Sequence, residues 1–262
     1  MTPQNITILG ASRGTGLAVL RVLAQRPDTY ITLLLRKPDV LNDDSTVGPA
    51  IRAGRVRIVQ GDAKVENDVA KVLRGADLVL STIGGAGKMT MRGGVLDDPT
   101  ICTVAGAALA RALSQLDTPP RVVVCSSMGI GSNHDVMPLT WRIVYPLLIG
   151  GPHEDKVGLE YIFSRAARGI ATPTVAKDKR DVPAEHILPA SQAALLPENF
   201  LPQVTILRPA FMDDREPKGL DKVRSGDAIK SYFIGRRDLA DWVVKHVIDS
   251  DEWVNRFPVI GY

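Results

Sequence analysis

The chain has 262 residues, 45% of them apolar, and 32 Lys and Arg against 29 Asp and Glu give a net charge of +3. That length suits one α/β domain with extensions and a sizeable core, and the mild charge, without a basic run or basic residues interleaved with aromatics, excludes nucleic acid as the expected partner. The longest apolar stretch, Ile143 to Ile149, is interrupted by Pro146 and is too short for a membrane span.

Asn5 to Leu9 predicts a strand and Gly10-Ala11-Ser12-Arg13-Gly14-Thr15-Gly16 a glycine-rich turn; Leu17, Leu20, Leu23 and Ala24 then recur at helical spacing in a segment ending at Arg26. Tyr30 to Leu35, with Ile31, Leu33, Leu34 and Leu35, reads as a second strand covered on both faces, and it ends in Arg36-Lys37. Strand, glycine turn, helix and strand in that order make a dinucleotide site. Glycines let the backbone approach the pyrophosphate, whose charge sits against free N–H groups at the helix N-terminus. In NAD sites an acidic residue about twenty positions past the glycines holds the ribose 2′-hydroxyl. Counting from Gly16 reaches Arg36 instead, with Lys37 beside it and Arg13 inside the turn. A guanidinium meets a phosphate through charge-assisted hydrogen bonds of about 1.5–3 kcal/mol each, so NADP(H) is expected over NAD(H) by roughly ten- to hundredfold. The alternative is a solvated strand end with Asp39 close by.

Arg55 to Val59 predicts a third strand leading into Gly61-Asp62-Ala63, and Val65, Val69, Val72 and Leu73 a short helix that Gly75 can end. Asp77 to Thr82 is the fourth strand, Pro99 opens a longer helix, and Arg121 to Cys125 is the fifth strand. Strands alternating with helices predict a Rossmann-type α/β fold, a doubly wound parallel sheet with helices on both faces. Ligands bind such sheets beyond the carboxyl ends of the strands. Candidate cofactor contacts are therefore Gly10, Ser12, Arg13, Gly14, Thr15, Gly16, Arg36, Lys37, Asp62, Ala63, Thr82, Ile83 and Gly84, and the region from Ser126 to Met128 faces the same side. Asp62 is equally readable as a turn or helix-capping aspartate, and Gly84, Gly85 and Gly87 as a loop against the cofactor ribose or a mobile turn.

Leu139 to Leu148 is apolar and aromatic, with Trp141 and Tyr145, and reads as a pocket wall or a partner surface. The expected organisation is one domain over 1–262, with a core of 4–169 and 203–262 and an insertion over about 170–202. That insertion carries five prolines and the charged run Lys177 to Asp181, and reads as a lid, an interface or a disordered loop. A C-terminal helix from Asp238 shows Leu239, Val243 and Val247 on one face; Phe257 to Ile260 reads as an edge strand, because Pro258 cannot donate to a ladder. The N-terminus enters a strand at once without a charged and then apolar leader, so a cytoplasmic location is expected. Cys102 and Cys125 read as buried small hydrophobes rather than a disulfide, and His134, His153, His186 and His246 show no metal-ligand spacing. The sequence is compatible with an oligomer.

Gly61-Asp62-Ala63, Leu73-Arg74-Gly75-Ala76-Asp77-Leu78-Val79, Val122-Val123-Val124-Cys125-Ser126-Ser127-Met128-Gly129, Asp155-Lys156 with Glu160, Thr205-Ile206-Leu207-Arg208-Pro209-Ala210 and Arg237-Asp238-Leu239-Ala240 follow one another in that order. With them the chain resembles, over nearly its whole length, the atypical short-chain dehydrogenase/reductases, the branch holding NmrA-like proteins and the flavin and biliverdin-IXβ reductases. The resemblance implies a Rossmann fold that binds NADP(H), in agreement with Arg36. It also implies hydride transfer to or from a small conjugated or aromatic substrate of quinone, flavin or polyketide type. NmrA-like members that bind NADP without turnover supply the rival reading of a redox sensor, and a redox-neutral enzyme on the same fold is a third.

Two departures stand out. The branch commonly shows Gly-x-x-Gly-x-x-Gly, whereas this chain has Gly10-x-x-x-Gly14-x-Gly16, the conventional short-chain spacing. Conventional members also carry Tyr-x-x-x-Lys, in which the lysine holds the nicotinamide ribose and lowers the tyrosine's pKa. Lys156 fits the lysine place, but Pro152 stands where the tyrosine would be. Candidate replacements are His153, on the face of Lys156 if a helix begins at Pro152 and titrating near neutrality, and Ser127, which matches the family's active-site serine, with Ser126 as its rival. Tyr145 is a further candidate, and Tyr161, five positions past Lys156, points off that face.

Overall fold

The computed structural model describes residues 4–85, 87–90 and 93–262, and the side chains of all of these except 87–90, 93–95 and 145–149. In chain order the elements are β1 (Gln4–Leu9), α1 (Gly14–Leu23), β2 (Thr29–Leu35), α2 (Val47–Arg52), β3 (Val56–Gln60), α3 (Glu66–Leu73), β4 (Leu78–Ser81), β5 (Gly87–Thr90), β6 (Gly93–Leu96), α4 (Ile101–Ser114) and β7 (Arg121–Cys125). There follow α5 (Leu139–Ala166), α6 (Ala190–Ala193), β8 (Val204–Pro209), β9 (Phe211–Asp213), β10 (Arg224–Gly226), β11 (Phe233–Gly235), α7 (Arg236–Val243), which continues as a π-turn over Val244–Ile248, and β12 (Val259–Gly261).

Eight strands form one sheet in the order β10-β12-β8-β7-β4-β1-β2-β3, parallel throughout except for β10 against β12. The strands are apolar on both faces because helices cover both. Ile6 and Ile8 of β1, Leu78 and Leu80 of β4, and Val123 of β7 pack under α1 and α7 with Trp242. Leu9, Val79, Val122 and Val124 point the other way, under α3, α4 and α5 with Leu109, Leu113 and Phe163. The chain leaves β1 toward β2 and β3, then returns to β4 on the opposite side. That reversal opens a crevice beyond the carboxyl ends of β1 and β4, where open α/β sheets bind ligands.

Two expectations are corrected. β12 is not an edge strand: β10 pairs with it on the outside, and Pro258 precedes the ladder, where its carbonyl accepts from Arg208 N at 2.8 Å. No helix begins at Pro152. A single helix of 28 residues, α5, starts at Leu139 and runs through both Pro146 and Pro152. The stretch read as a pocket wall or a partner surface is the first part of α5. There Trp141 packs into an aromatic cluster, its ring centroid 5.7 Å from Phe233 and 6.4 Å from Phe211, and donates Nε1–H to Tyr232 O at 3.2 Å. Tyr145's side chain lies outside the described residues.

Residues 170–202 fold back on the α4–α5 side of the sheet, with Leu188, Ala193, Leu196 and Leu201 buried in that core. Arg180 pins the segment through two hydrogen bonds to Asp135, and Asp181 accepts from Ser132 N at 2.7 Å. Arg208 of β8 makes a part-buried, two-point ion pair with Glu160 of α5, at 3.1 and 2.5 Å, while stacking over Phe257. Among the described residues no helix is long and apolar enough to cross a membrane.

Candidate active site

The glycine turn is shaped by contacts that leave no room for side chains. Gly10 has φ +85° and Gly14 φ +58°, left-handed conformations that glycine adopts without cost. A Cβ on Gly10 would lie 2.8 Å from the backbone carbon of Thr82, and one on Gly16 would collide with Thr82 Oγ1 and Gly10 O. Thr82, just past β4, fixes the turn from beneath. Its N–H and hydroxyl both donate to Leu9 O, at 2.9 and 3.1 Å, and its hydroxyl also lies 3.2 Å from Gly10 O. The N-terminus of α1 has no side-chain cap and no acidic residue in its first turn, so its orphan N–H groups and positive dipole end face the crevice.

At one end of the crevice, Arg36 and Lys37 follow β2 and are exposed. Among the described residues neither they nor Arg13 form an ion pair, whereas the neighbouring Lys64 is held by Asp98 at 2.9 Å. Asp62 serves its turn, as one of the two sequence readings had it: its carboxylate accepts from Lys64 N at 2.9 Å, and its own N–H donates to Asp68 Oδ2 at 3.0 Å.

At the other end, α5 delivers Lys156 between the ends of β4 and β7. Its ammonium donates to Cys125 O at 2.7 Å and Ile83 O at 3.1 Å. Burial works against the ammonium, but Cys102, Cys125 and Asp155, in their ionised forms, favour it by more, so its pKa is held above the ordinary lysine value. Burial pushes the Cys102 thiol up to about 11 against the pull of Lys156, so both partners keep their protons at neutral pH. Asp155 is fully buried and accepts from Cys102 N and Thr103 N, each at 2.8 Å, which caps α4 from α5 and fixes the two helices beside the lysine. His153, one turn before Lys156, is lowered to about 4 by burial, reinforced by the charges of His134 and Lys156. It is a neutral imidazole near pH 7, not the near-neutral acid expected of a first-turn histidine. Ser127 donates to Met128 O at 3.3 Å; Ser126 Oγ is buried without a hydrogen-bond partner among the described residues.

These ends belong to one cavity of about 730 Å³. Of the candidates, Gly10, Ser12, Arg13, Gly14, Thr15, Arg36, Lys37, Asp62, Ala63, Thr82, Ile83, Gly84, Ser127, His153 and Lys156 line it, and Gly16 stands behind the turn against Thr82 and Gly10. Tyr161 does not; it takes a hydrogen bond from Arg165 at 3.0 Å. The sequence reading missed Met212, Asp214 and Arg236, which reach the cavity from the C-terminal part of the chain, and gave the lining thiols Cys102 and Cys125 only a packing role. Arg236 adjoins the Arg237-Asp238-Leu239-Ala240 motif, but nothing local signals that it meets the glycine turn.

Residues 10–155, more than half of the chain, match the family described as NAD(P)H-binding. The chain belongs to this NAD(P)H-binding family. It is 27% identical to reductase pytE of Aspergillus terreus over 98% of this chain and 97% of that one, and 26% identical to oxidoreductase aflX of Aspergillus parasiticus over 81% and 79%. A short-chain dehydrogenase/reductase of Veillonella parvula in complex with NADP shares the fold, with TM-score 0.63 at 16% identity over 99% of this chain and 94% of that one. The residues suit the dinucleotide that defines an NAD(P)H-binding protein: the turn's backbone is bare where a Cβ would intrude, the α1 N-terminus is uncapped, and Arg13, Arg36 and Lys37 are cations without carboxylate partners among the described residues.

Proposed function

We propose that this chain is a reductase of the atypical short-chain type that prefers NADP(H) and acts on a small conjugated or aromatic substrate of quinone, flavin or polyketide type. The observation that carries this reading is the Lys156 ammonium, held in the same cavity as the glycine turn and the Arg36–Lys37 pair. Bound NADPH supplies the hydride. Arg36 and Lys37 select the 2′-phosphate, and Gly10, Gly14 and the α1 N-terminus take the pyrophosphate. Lys156 uses two of its three N–H groups on Ile83 O and Cys125 O. The remaining one is available to a ribose hydroxyl or to the substrate oxygen as negative charge grows there. Ser127, with Ser126 as its rival, donates to the substrate carbonyl. His153 takes part as a neutral imidazole, so the proton held at Lys156 Nζ is the one at hand for the product. Leu96, Ile101, Ala105 and Met212 give the cavity apolar walls suited to a flat, apolar molecule. The names of the two Aspergillus relatives support a reductase, and the reduced thiols Cys102 and Cys125 suit a reducing, cytoplasmic setting.

A non-catalytic NADP(H) sensor is the second reading, favoured by Pro152 at the place of the family tyrosine and by the neutrality of His153. A screen of quinones, flavins and aromatic ketones for NADPH oxidation, run with wild type, Lys156→Ala and Ser127→Ala, separates the two. The reductase reading expects turnover that both substitutions impair. Tight NADPH binding with silence toward every acceptor favours the sensor, and turnover indifferent to both substitutions places the chemistry elsewhere.

A further inference from the structure

β9 and β11 run parallel with Gly235 opposite Asp213, so the next residue of each strand, Arg236 and Asp214, emerges side by side at the end of a two-stranded ribbon. Arg236 Nη1 lies 2.7 Å from Asp214 Oδ2. The ribbon end hangs over the glycine turn: Thr15 Oγ1 is 3.1 Å from Met212 Sδ, and Arg236 Nε stands 3.9 Å from where a Cβ of Gly14 would be. Both charged residues line the cavity.

The pair is built unevenly. The Arg236 side chain is 26% exposed and faces the turn, whereas that of Asp214 is 81% exposed. Among the described residues Asp214 has no other partner, so the carboxylate can rotate into water at little cost. An anion seated on the α1 N-terminus would find Arg13 and the orphan N–H groups on one side and Arg236 on the other. Ser126 Oγ, buried and without a hydrogen-bond partner among the described residues, lines the same cavity and independently marks it as a place where a polar ligand completes the bonding.

We propose that Arg236 is a second clamp on the cofactor's pyrophosphate, delivered from the C-terminal part of the chain, and that Asp214 occupies it until the dinucleotide arrives. Binding then exchanges the Arg236–Asp214 ion pair for an Arg236–pyrophosphate pair and joins the β9–β11 ribbon to the glycine turn. The clamp rests on the cavity being the NAD(P)H site.

Titrations of wild type, Arg236→Met, Asp214→Asn and Arg36→Ala with NADPH, NADH, ADP-ribose and adenosine 2′-monophosphate test it. Arg236→Met should weaken NADPH, NADH and ADP-ribose alike, by about tenfold, because all three carry the pyrophosphate, and should leave the 2′-monophosphate unchanged. Asp214→Asn should tighten the same three ligands severalfold. Arg236→Lys, which keeps the charge without the fork, should fall between wild type and Arg236→Met and covers the case in which the methionine variant does not fold. Unchanged dinucleotide affinity in Arg236→Met and Arg236→Lys overturns the clamp, as does an effect confined to the KM of the reduced substrate. Asp214→Asn binding more weakly than wild type would overturn the place-holder. If Arg36→Ala also leaves NADPH untouched, the cavity assignment itself fails, which is a different outcome from failure of the clamp alone.

Discussion

Lys156 donates to the carbonyl oxygen of Cys125 at 2.7 Å, tying the middle of α5 to the carboxyl end of the β7 strand beside the crevice. The bond joins the element that carries the ammonium to the strand end that carries Ser126 and Ser127, and Asp155, the residue just before Lys156, caps α4 from the same helix.

Replacing Lys156 by Met should lower kcat/KM by about 10²- to 10³-fold, the usual cost of losing one donor to a developing oxyanion. It also removes the Lys156 donor from the buried Cys125 carbonyl, at about 1–3 kcal/mol, while Ile83 O keeps the Cys102 thiol as a weak donor. Steady-state kinetics and a thermal melt check both parts; NADPH affinity should change less than turnover does.

His153 predicts an acid sensitivity. Its folded pKa of about 4 lies below the ordinary 6.5, so the folded state favours the neutral ring. The associated stability is complete above about pH 6.5 and is lost as pH falls from there toward 4, reaching about 3 kcal/mol. Denaturant unfolding at pH 7.5 and pH 4.5 should show a loss that His153→Gln reduces. An equal loss in both proteins would assign the sensitivity to other groups.

Gly16→Ala puts a methyl group against Thr82 Oγ1 and the backbone oxygen of Gly10. The carbonyl cannot rotate away without moving the turn, so a destabilisation of about 1–3 kcal/mol and a marked loss of NADPH affinity are expected. Calorimetric titration and a thermal melt measure the two effects together.

Arg208→Met alone strands the Glu160 carboxylate at 9% exposure and should cost about 3–5 kcal/mol. Adding Glu160→Leu should recover much of that loss, because a well-packed apolar pair can replace a buried ion pair. Additive losses in the double-mutant cycle would contradict this account.

The parts of the site built from neighbouring residues were legible in the sequence. Gly10 to Gly16 announces its turn because the backbone there needs glycine, and Arg36 sits at a spacing that the strand, helix and strand fix. Lys156 and Ser127 were placed by the resemblance and now line one cavity with the turn. The reach of α5 was hidden because Pro152 reads as a possible helix start, yet the helix begins at Leu139 and runs through both Pro146 and Pro152. The protonation of His153 was hidden for a related reason: in a first turn it would be solvated, whereas here it lies within α5, partly buried against the cavity. Pro258 was read for its missing N–H, while β10, whose pairing covers the outer side of β12, carries no periodic signal in three residues. Arg236 and Asp214 were out of reach, since only the register of β9 on β11 brings them together over Gly14.

The most direct test of the proposed function follows a deuterium from the nicotinamide C4 of NADPH, labelled on either face, into the non-exchanging alcohol carbon formed from an accepted aromatic ketone, read by mass spectrometry. The reductase account predicts one deuterium per product molecule with stoichiometric formation of NADP, and loss of that transfer in Lys156→Met. Tight NADPH binding without transfer to any acceptor, or transfer undiminished in Lys156→Met, would contradict it.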